Sequence, residues 1–155
     1  MIKTTSADGT AIAADRTRSG PALVLVAPAL ATRAAFAPLA ELLAPHFTVY
    51  AYDRRGRGDS GDTPPYAADR EVEDLVAVIG AAGGSANVFG HSSGAVLALD
   101  AAARNVGVTK LAVYEPPFIV AANRCPPTSP TNSPVWWRPT GPVTRWRCGC
   151  APQWG

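Results

Sequence analysis

The 155 residues carry a formal net charge of +2 and 47% hydrophobic residues, enough chain for one domain with a real core and too little for most complete α/β enzymes of five or more βα units. The charge is uneven: residues 1–123 hold ten Lys/Arg and all twelve Asp/Glu, whereas residues 124–155 hold four Arg and no acid. The basic surplus therefore belongs to the tail, and no nucleic-acid partner is expected. No apolar run approaches the ~18 residues of a membrane span, and no export signal opens the chain, so a cytoplasmic protein without membrane contact is expected.

In chain order, Met1–Thr5 and Ala11–Arg16 flank Asp8-Gly9, a hairpin signal. Ser19-Gly20-Pro21 reads as a turn. Ala22–Val26 is a continuous apolar run of the kind buried on both faces of a parallel sheet. A loop over Ala27–Ala31 leads to a helix opening at Thr32 or Arg33 and running to Leu43, with Phe36, Leu39, Ala40 and Leu43 at helical spacing. Thr48–Tyr52 is the next strand, followed by the polar loop Asp53–Asp62. Arg70–Ala82 is predicted helical with Val72, Leu75, Val76 and Ile79 on one face. Ala86–Phe89 is a strand, Ser93–Asn105 a helix rich in small residues, and Lys110–Tyr114 a strand. This alternation predicts an α/β fold with a mostly parallel, doubly wound sheet and helices on both faces.

The chemistry-bearing stretch is Gly90-His91-Ser92-Ser93-Gly94, between the strand ending at Phe89 and the helix starting at Ser93. G-x-S-x-G at a strand-to-helix turn is a nucleophile elbow. The sharp turn that presents Ser92 needs neighbours without bulk, here Gly90 and Gly94. It also aims the N–H of Ser93 and the helix N-terminus at a developing oxyanion. In that register Ser93 cannot be the nucleophile, because its flanks would be His91 and Ala95.

With the loop Asp53-Arg54-Arg55-Gly56-Arg57-Gly58-Asp59-Ser60, the elbow and the leading hairpin then βαβαβαβ order, residues 2–120 resemble the N-terminal half of an α/β-hydrolase. The loop matches that family's D-x-R-G-x-G-x-S pattern. The resemblance implies Ser92 as nucleophile, with backbone N–H groups of Ser93 and Ala29 as the oxyanion hole. It implies ester, thioester or similar small acyl substrates, and neither a cofactor nor a metal. The loop after the third strand departs from the family's H-G pair. Ala27-Pro28 stands there instead, and Pro28 has no N–H to give.

A serine needs a base and an orienting carboxylate, which this family places after the nucleophile. The chain has two histidines, His46 and His91, and none follows Ser92. His91 is expected to be structural and His46 to lie at the far end of the sheet. Asp100 and Glu115 are the acids downstream of Ser92, and neither matches the family position. The triad is therefore incomplete, and the sheet is expected to be truncated after its sixth strand. The alternative function is a non-catalytic remnant or binding module of the same fold.

Residues 121–155 change character, holding all four Trp, all three Cys and seven of fifteen Pro. An irregular, disordered tail is expected, since proline at this density blocks helix and central strand. Cys125, Cys148 and Cys150 match no standard zinc set. A frame shift between Val120 and Cys125 accounts for the composition. Regrouping the codons from Pro126, the last base of each with the first two of the next, gives a string free of Trp and Cys. That string carries acids and has apolar residues at helical spacing. Oligomeric state has no signature in the sequence.

Overall fold

The computed structural model describes residues 1–17, 20–118, 137–140 and 145–148. Contacts divide the chain into Met1–Pro117 and Phe118–Gly155. In the second unit, Trp137–Thr140 and Arg145–Cys148 pair as an antiparallel two-stranded ribbon. In such a ribbon both strands are edges, so Pro139 can sit in one. The expected disorder and frame shift of the tail otherwise fall outside the described residues.

The first unit is a six-stranded sheet. Its strands are β1 (Ile2–Thr5), β2 (Ala11–Arg16), β3 (Ala22–Val26), β4 (Thr48–Tyr52), β5 (Ala86–His91) and β6 (Val108–Tyr114), in spatial order β1-β2-β4-β3-β5-β6. β1 and β2 form the hairpin, β2 meets β4 antiparallel, and the β4/β3, β3/β5 and β5/β6 pairs are parallel. This is the mostly parallel α/β sheet that the alternating pattern predicts, of the hydrolase type that the resemblance implies.

Successive residues of β3 feed opposite faces, as strand geometry requires. Val24 and Val26 join Ile12, Tyr50, Tyr52 and Val88 under α2 (Ala68–Ala81) and α3 (Ser93–Ala103). Leu23 and Leu25 join Val49 and Ala51 under Phe36, Leu39 and Leu43. Burial of both faces explains why β3 is an uninterrupted apolar run.

α2 spans Ala68–Ala81 and not Arg70–Ala82, β5 runs on to His91 and β6 starts at Val108, and three further differences have a physical reason. The helix expected from Thr32 or Arg33 is a 3₁₀ turn, Arg33–Phe36, followed by α1 (Ala37–Leu43). Pro38 has no N–H to bond back one turn, so the α-helix can only start beside it. α3 stops at Ala103, and Asn105 takes a left-handed φ of 55° just beyond it. On α2, Val76 is 40% exposed, whereas Val78 is buried. At 100° per residue Val76 lies about 40° beyond Val72, off the edge of the buried arc. That arc also buries two acids, Glu71 and Asp74.

Candidate active site

Ser92 falls between the last residue of β5 and the first of α3, with φ 54° and ψ −121°. A non-glycine residue rarely takes this conformation, at a cost of about 1–3 kcal/mol. Hydrogen bonds hold it from both sides. The Ser92 N–H donates to the Tyr114 carbonyl at 2.9 Å, and the Ser92 carbonyl accepts from the Ala95 N–H at 2.9 Å. The glycines answer to close approaches. A Cβ on Gly90 would stand 2.6 Å from Ala95 Cα and from the Gly94 carbonyl oxygen. A Cβ on Gly94 would stand 2.6 Å from the Ala27 carbonyl oxygen and would overlap that of Val26.

The Gly94 contact ties the elbow to the loop after β3. The β3/β5 register, with Val26 opposite Gly90, brings that loop beside Ser92. Ala29 lies in a turn closed by the Ala31 N–H donating to the Pro28 carbonyl at 3.2 Å. Arg57 Nε donates to the Ala29 carbonyl at 2.5 Å. Ser93 opens α3, and its hydroxyl accepts from Arg54 Nη1 at 3.0 Å.

The loop after β4 is a frame of arginines and carboxylates. Asp53, fully buried, accepts from the Arg33 N–H at 2.7 Å and the Asp59 N–H at 2.9 Å, and pairs with the Arg33 guanidinium. Gly58, at φ 52°, lies against the Asp53 carboxylate, where any Cβ would collide with it. Ser60 Oγ donates to the Asp53 carbonyl at 2.6 Å and accepts from the Ala13 N–H at 2.9 Å. Arg55 grips Asp74 with two bonds of 2.7 Å and reaches Asp8 at 2.9 Å. Arg54 pairs with Glu71 through Nε and Nη2, and its Nη1 donates to the Ala27 carbonyl at 3.2 Å.

Burial opposes the charge on Glu71, but the Arg54 hydrogen bonds and charge more than offset it, with Tyr66 and Arg57 adding to them. The carboxyl is held below its ordinary value. Burial and the adjacent Glu71 charge push the Tyr66 phenol up to about 12. Motif reading singles out Asp53, the glycines and Ser60 but does not assign Arg54, Arg57 or Glu71. The signal that could have found them is the pair of acids at 71 and 74, three apart on the apolar face of α2.

The other titratable candidates lie elsewhere. His91 is the last residue of β5, its ring 5.3 Å from that of Tyr114. His46 precedes β4, with its carbonyl against Gly20 at the start of β3. That is the opposite end of the strands from Ser92, about 20 Å away along β3 and β5. Asp100 pairs with Arg104 at 2.6 Å on α3, and Glu115 is an exposed residue after β6 with φ 49°. Among the described residues, no group of three or more His, Cys, Asp or Glu is placed to hold a metal, and no helix is long and apolar enough to cross a membrane.

Known proteins share this fold. A solved alpha/beta hydrolase from Sphaerobacter thermophilus superposes with a TM-score of 0.78 at 64% identity, covering 83% of this chain and 50% of that one. The pimeloyl-[acyl-carrier protein] methyl ester esterase of Xanthomonas campestris is 42% identical over 95 residues, 61% of this chain and 36% of its own. The N-formylmaleamate deformylase of Pseudomonas putida is 34% identical over 113 residues, 70% of this chain and 42% of its own. The chain thus spans half or less of the length of these relatives. The model of the alpha/beta hydrolase family matches residues 23–155, and the chain belongs to that family.

Proposed function

We propose that the chain carries the nucleophile half of a serine hydrolase for small esters or related acyl substrates. Ser92 Oγ attacks the acyl carbon, and the N–H groups of Ser93 and Ala29 receive the oxyanion. Its collapse breaks the bond to the leaving alcohol, which departs with the serine proton, and water then cleaves the acyl-enzyme to the free acid and Ser92. The observation that carries this reading is the backbone of Ser92, held at φ 54° between glycines that admit no Cβ. Relatives named as an esterase and a deformylase support the substrate class.

The base is a separate matter. Neither His46 nor His91 suits the role, and no histidine follows Ser92 in the 155 residues. On this reading the isolated chain keeps only what the oxyanion site provides, a loss on the order of 10⁴ against a complete triad. The same fact favours the second reading, a non-catalytic module of hydrolase fold. Fluorophosphonate labelling of the purified chain and its Ser92→Ala variant tests both. Slow, Ser92-dependent labelling is expected. Identical adduct levels in the two proteins would remove Ser92 as nucleophile, and rapid labelling would show a base within the chain. The shifted frame proposed for the tail is tested by sequencing the locus. A continuous frame with an independently confirmed tail removes it.

A further inference from the structure

Three consecutive peptide planes of the loop after β3 are each fixed by one hydrogen bond. Arg54 Nη1 holds the Ala27 carbonyl at 3.2 Å, the Ala31 N–H holds the Pro28 carbonyl at 3.2 Å, and Arg57 Nε holds the Ala29 carbonyl at 2.5 Å. A planar trans peptide points its N–H opposite its carbonyl. The direction of the Ala29 N–H is therefore set by the plane it shares with the Pro28 carbonyl, and the two planes flanking that one are held by arginines. Arg54 Nη1 also donates to Ser93 Oγ at 3.0 Å, so one nitrogen spans the loop and the first residue of α3.

Arg54 holds Glu71, which is 2% exposed, through a bidentate pair, whereas Arg57 Nη1 donates to the Arg55 carbonyl at 2.7 Å and stands 3.9 Å from Glu71. With two nitrogens of its fork locked on a buried carboxylate, the Arg54 guanidinium has little freedom left at Nη1, and the Arg55 carbonyl steadies the fork of Arg57. In the D-x-R-G-x-G-x-S pattern, Arg54 and Arg57 occupy variable positions. The fixed arginine, Arg55, goes instead to Asp74 and Asp8. The clamp is therefore built from residues the motif leaves open.

We propose that Arg54, anchored on Glu71, and Arg57, anchored on the Arg55 carbonyl, are positioning residues that align the backbone N–H groups of Ala29 and Ser93 as one oxyanion site. This rests on the reading of Ser92 as nucleophile, but its geometric part can fail by itself. An acceptor oxygen between two donors is stabilised only when both point at it, and removal of one such donor typically costs ~10²–10³ in rate. Loosening a donor without removing it should cost about tenfold.

The test uses the 155-residue chain with three substitutions. Ser93→Ala removes the hydroxyl and keeps the N–H. Arg57→Met frees the Ala29 carbonyl. Arg54→Met removes the central fork and is the variant most at risk of misfolding, so the first two keep the test decisive. Amide ¹H–¹⁵N signals of Ala29 and Ser93, and their hydrogen-exchange protection, are compared with those of the β1–β2 hairpin. The expected result is shifted, less protected Ala29 signals in Arg57→Met and a lower exchange protection factor at position 93 in Ser93→Ala, with the hairpin unchanged. Ser93→Thr, which keeps a hydroxyl, should restore the wild-type protection factor at position 93. Fluorophosphonate adduct formation on Ser92 should slow about tenfold in Arg57→Met and Ser93→Ala. Unchanged Ala29 signals in Arg57→Met, together with an unchanged protection factor at position 93 in Ser93→Ala, overturn the proposal. Adduct formation indifferent to Ser92→Ala overturns the nucleophile reading instead, and the two failures are read on separate instruments.

Discussion

A Cβ on Gly94 would stand 2.6 Å from the Ala27 carbonyl oxygen and collide with that of Val26, so the first turn of α3 closes on the end of β3 and the loop after it. A methyl group at Gly94 must push them apart. Gly94→Ala should destabilise the chain by about 2 kcal/mol, the typical cost of overpacking. Gly80, on the exposed side of α2, has no atom within 4 Å of where its Cβ would stand. Gly80→Ala should stabilise by about 0.4–1 kcal/mol. Urea denaturation of the two variants should give opposite signs.

Strain at the elbow gives a second prediction. Ser92 holds φ 54°, which glycine adopts without penalty. Ser92→Gly should raise stability by about 1 kcal/mol while abolishing adduct formation. Ser92→Ala should abolish it without the gain. Equal melting temperatures for the two variants would count against stored strain at this position.

Arg55 and Asp74, each 1% exposed, form a buried pair with two 2.7 Å bonds. Removing one partner leaves the other charge buried and alone, so Asp74→Ala should cost about 3–5 kcal/mol. Replacing both, as Arg55→Met with Asp74→Leu, should recover much of that loss. A double-mutant cycle in urea measures the coupling.

Acid should attack the same frame through Glu71. Its carboxyl is held below the usual 4.5 in the folded chain, so the unfolded chain takes up the proton first as pH falls. The stability contribution is therefore complete above about pH 4.5 and is lost as pH drops through the folded value. Glu71→Gln should flatten this part of the stability–pH curve, followed by thermal melts between neutral pH and pH 3.

β6 is a terminal strand of the sheet and exposes Val113 and Tyr114, the latter 54% accessible. An apolar sheet edge is a template for unwanted pairing. Val113→Lys should increase the soluble yield of the 155-residue chain and reduce light scattering at high concentration, with the thermal midpoint little changed.

The sheet was legible in the sequence because its signals are local. The apolar run of β3, the Asp8-Gly9 turn and the glycines around Ser92 each announce a backbone requirement within a few residues. The arginine frame was not, because its partners are distant: Arg54 finds Glu71 17 positions on, and Arg55 finds Asp8 47 positions back. Counting apolar residues on α2 also hid the matter, since Glu71 and Asp74 lie in the buried arc while Val76 lies outside it. A charge on an apolar face needs its counter-ion identified before the face can be drawn.

The proposed donors at Ala29 and Ser93 belong to the main chain, so the alphabet of side chains has little say over them. In a saturation mutagenesis map, position 29 should tolerate every replacement except proline, which alone deletes the N–H. Besides Ser92 and its flanking glycines, the sensitive columns should fall at Arg54 and Arg57, whose side chains bond the loop after β3 and Ser93, and at Glu71, which anchors Arg54. Mutational intolerance beyond the nucleophile itself would then mark residues that never meet the substrate, while the donors that do meet it would look neutral.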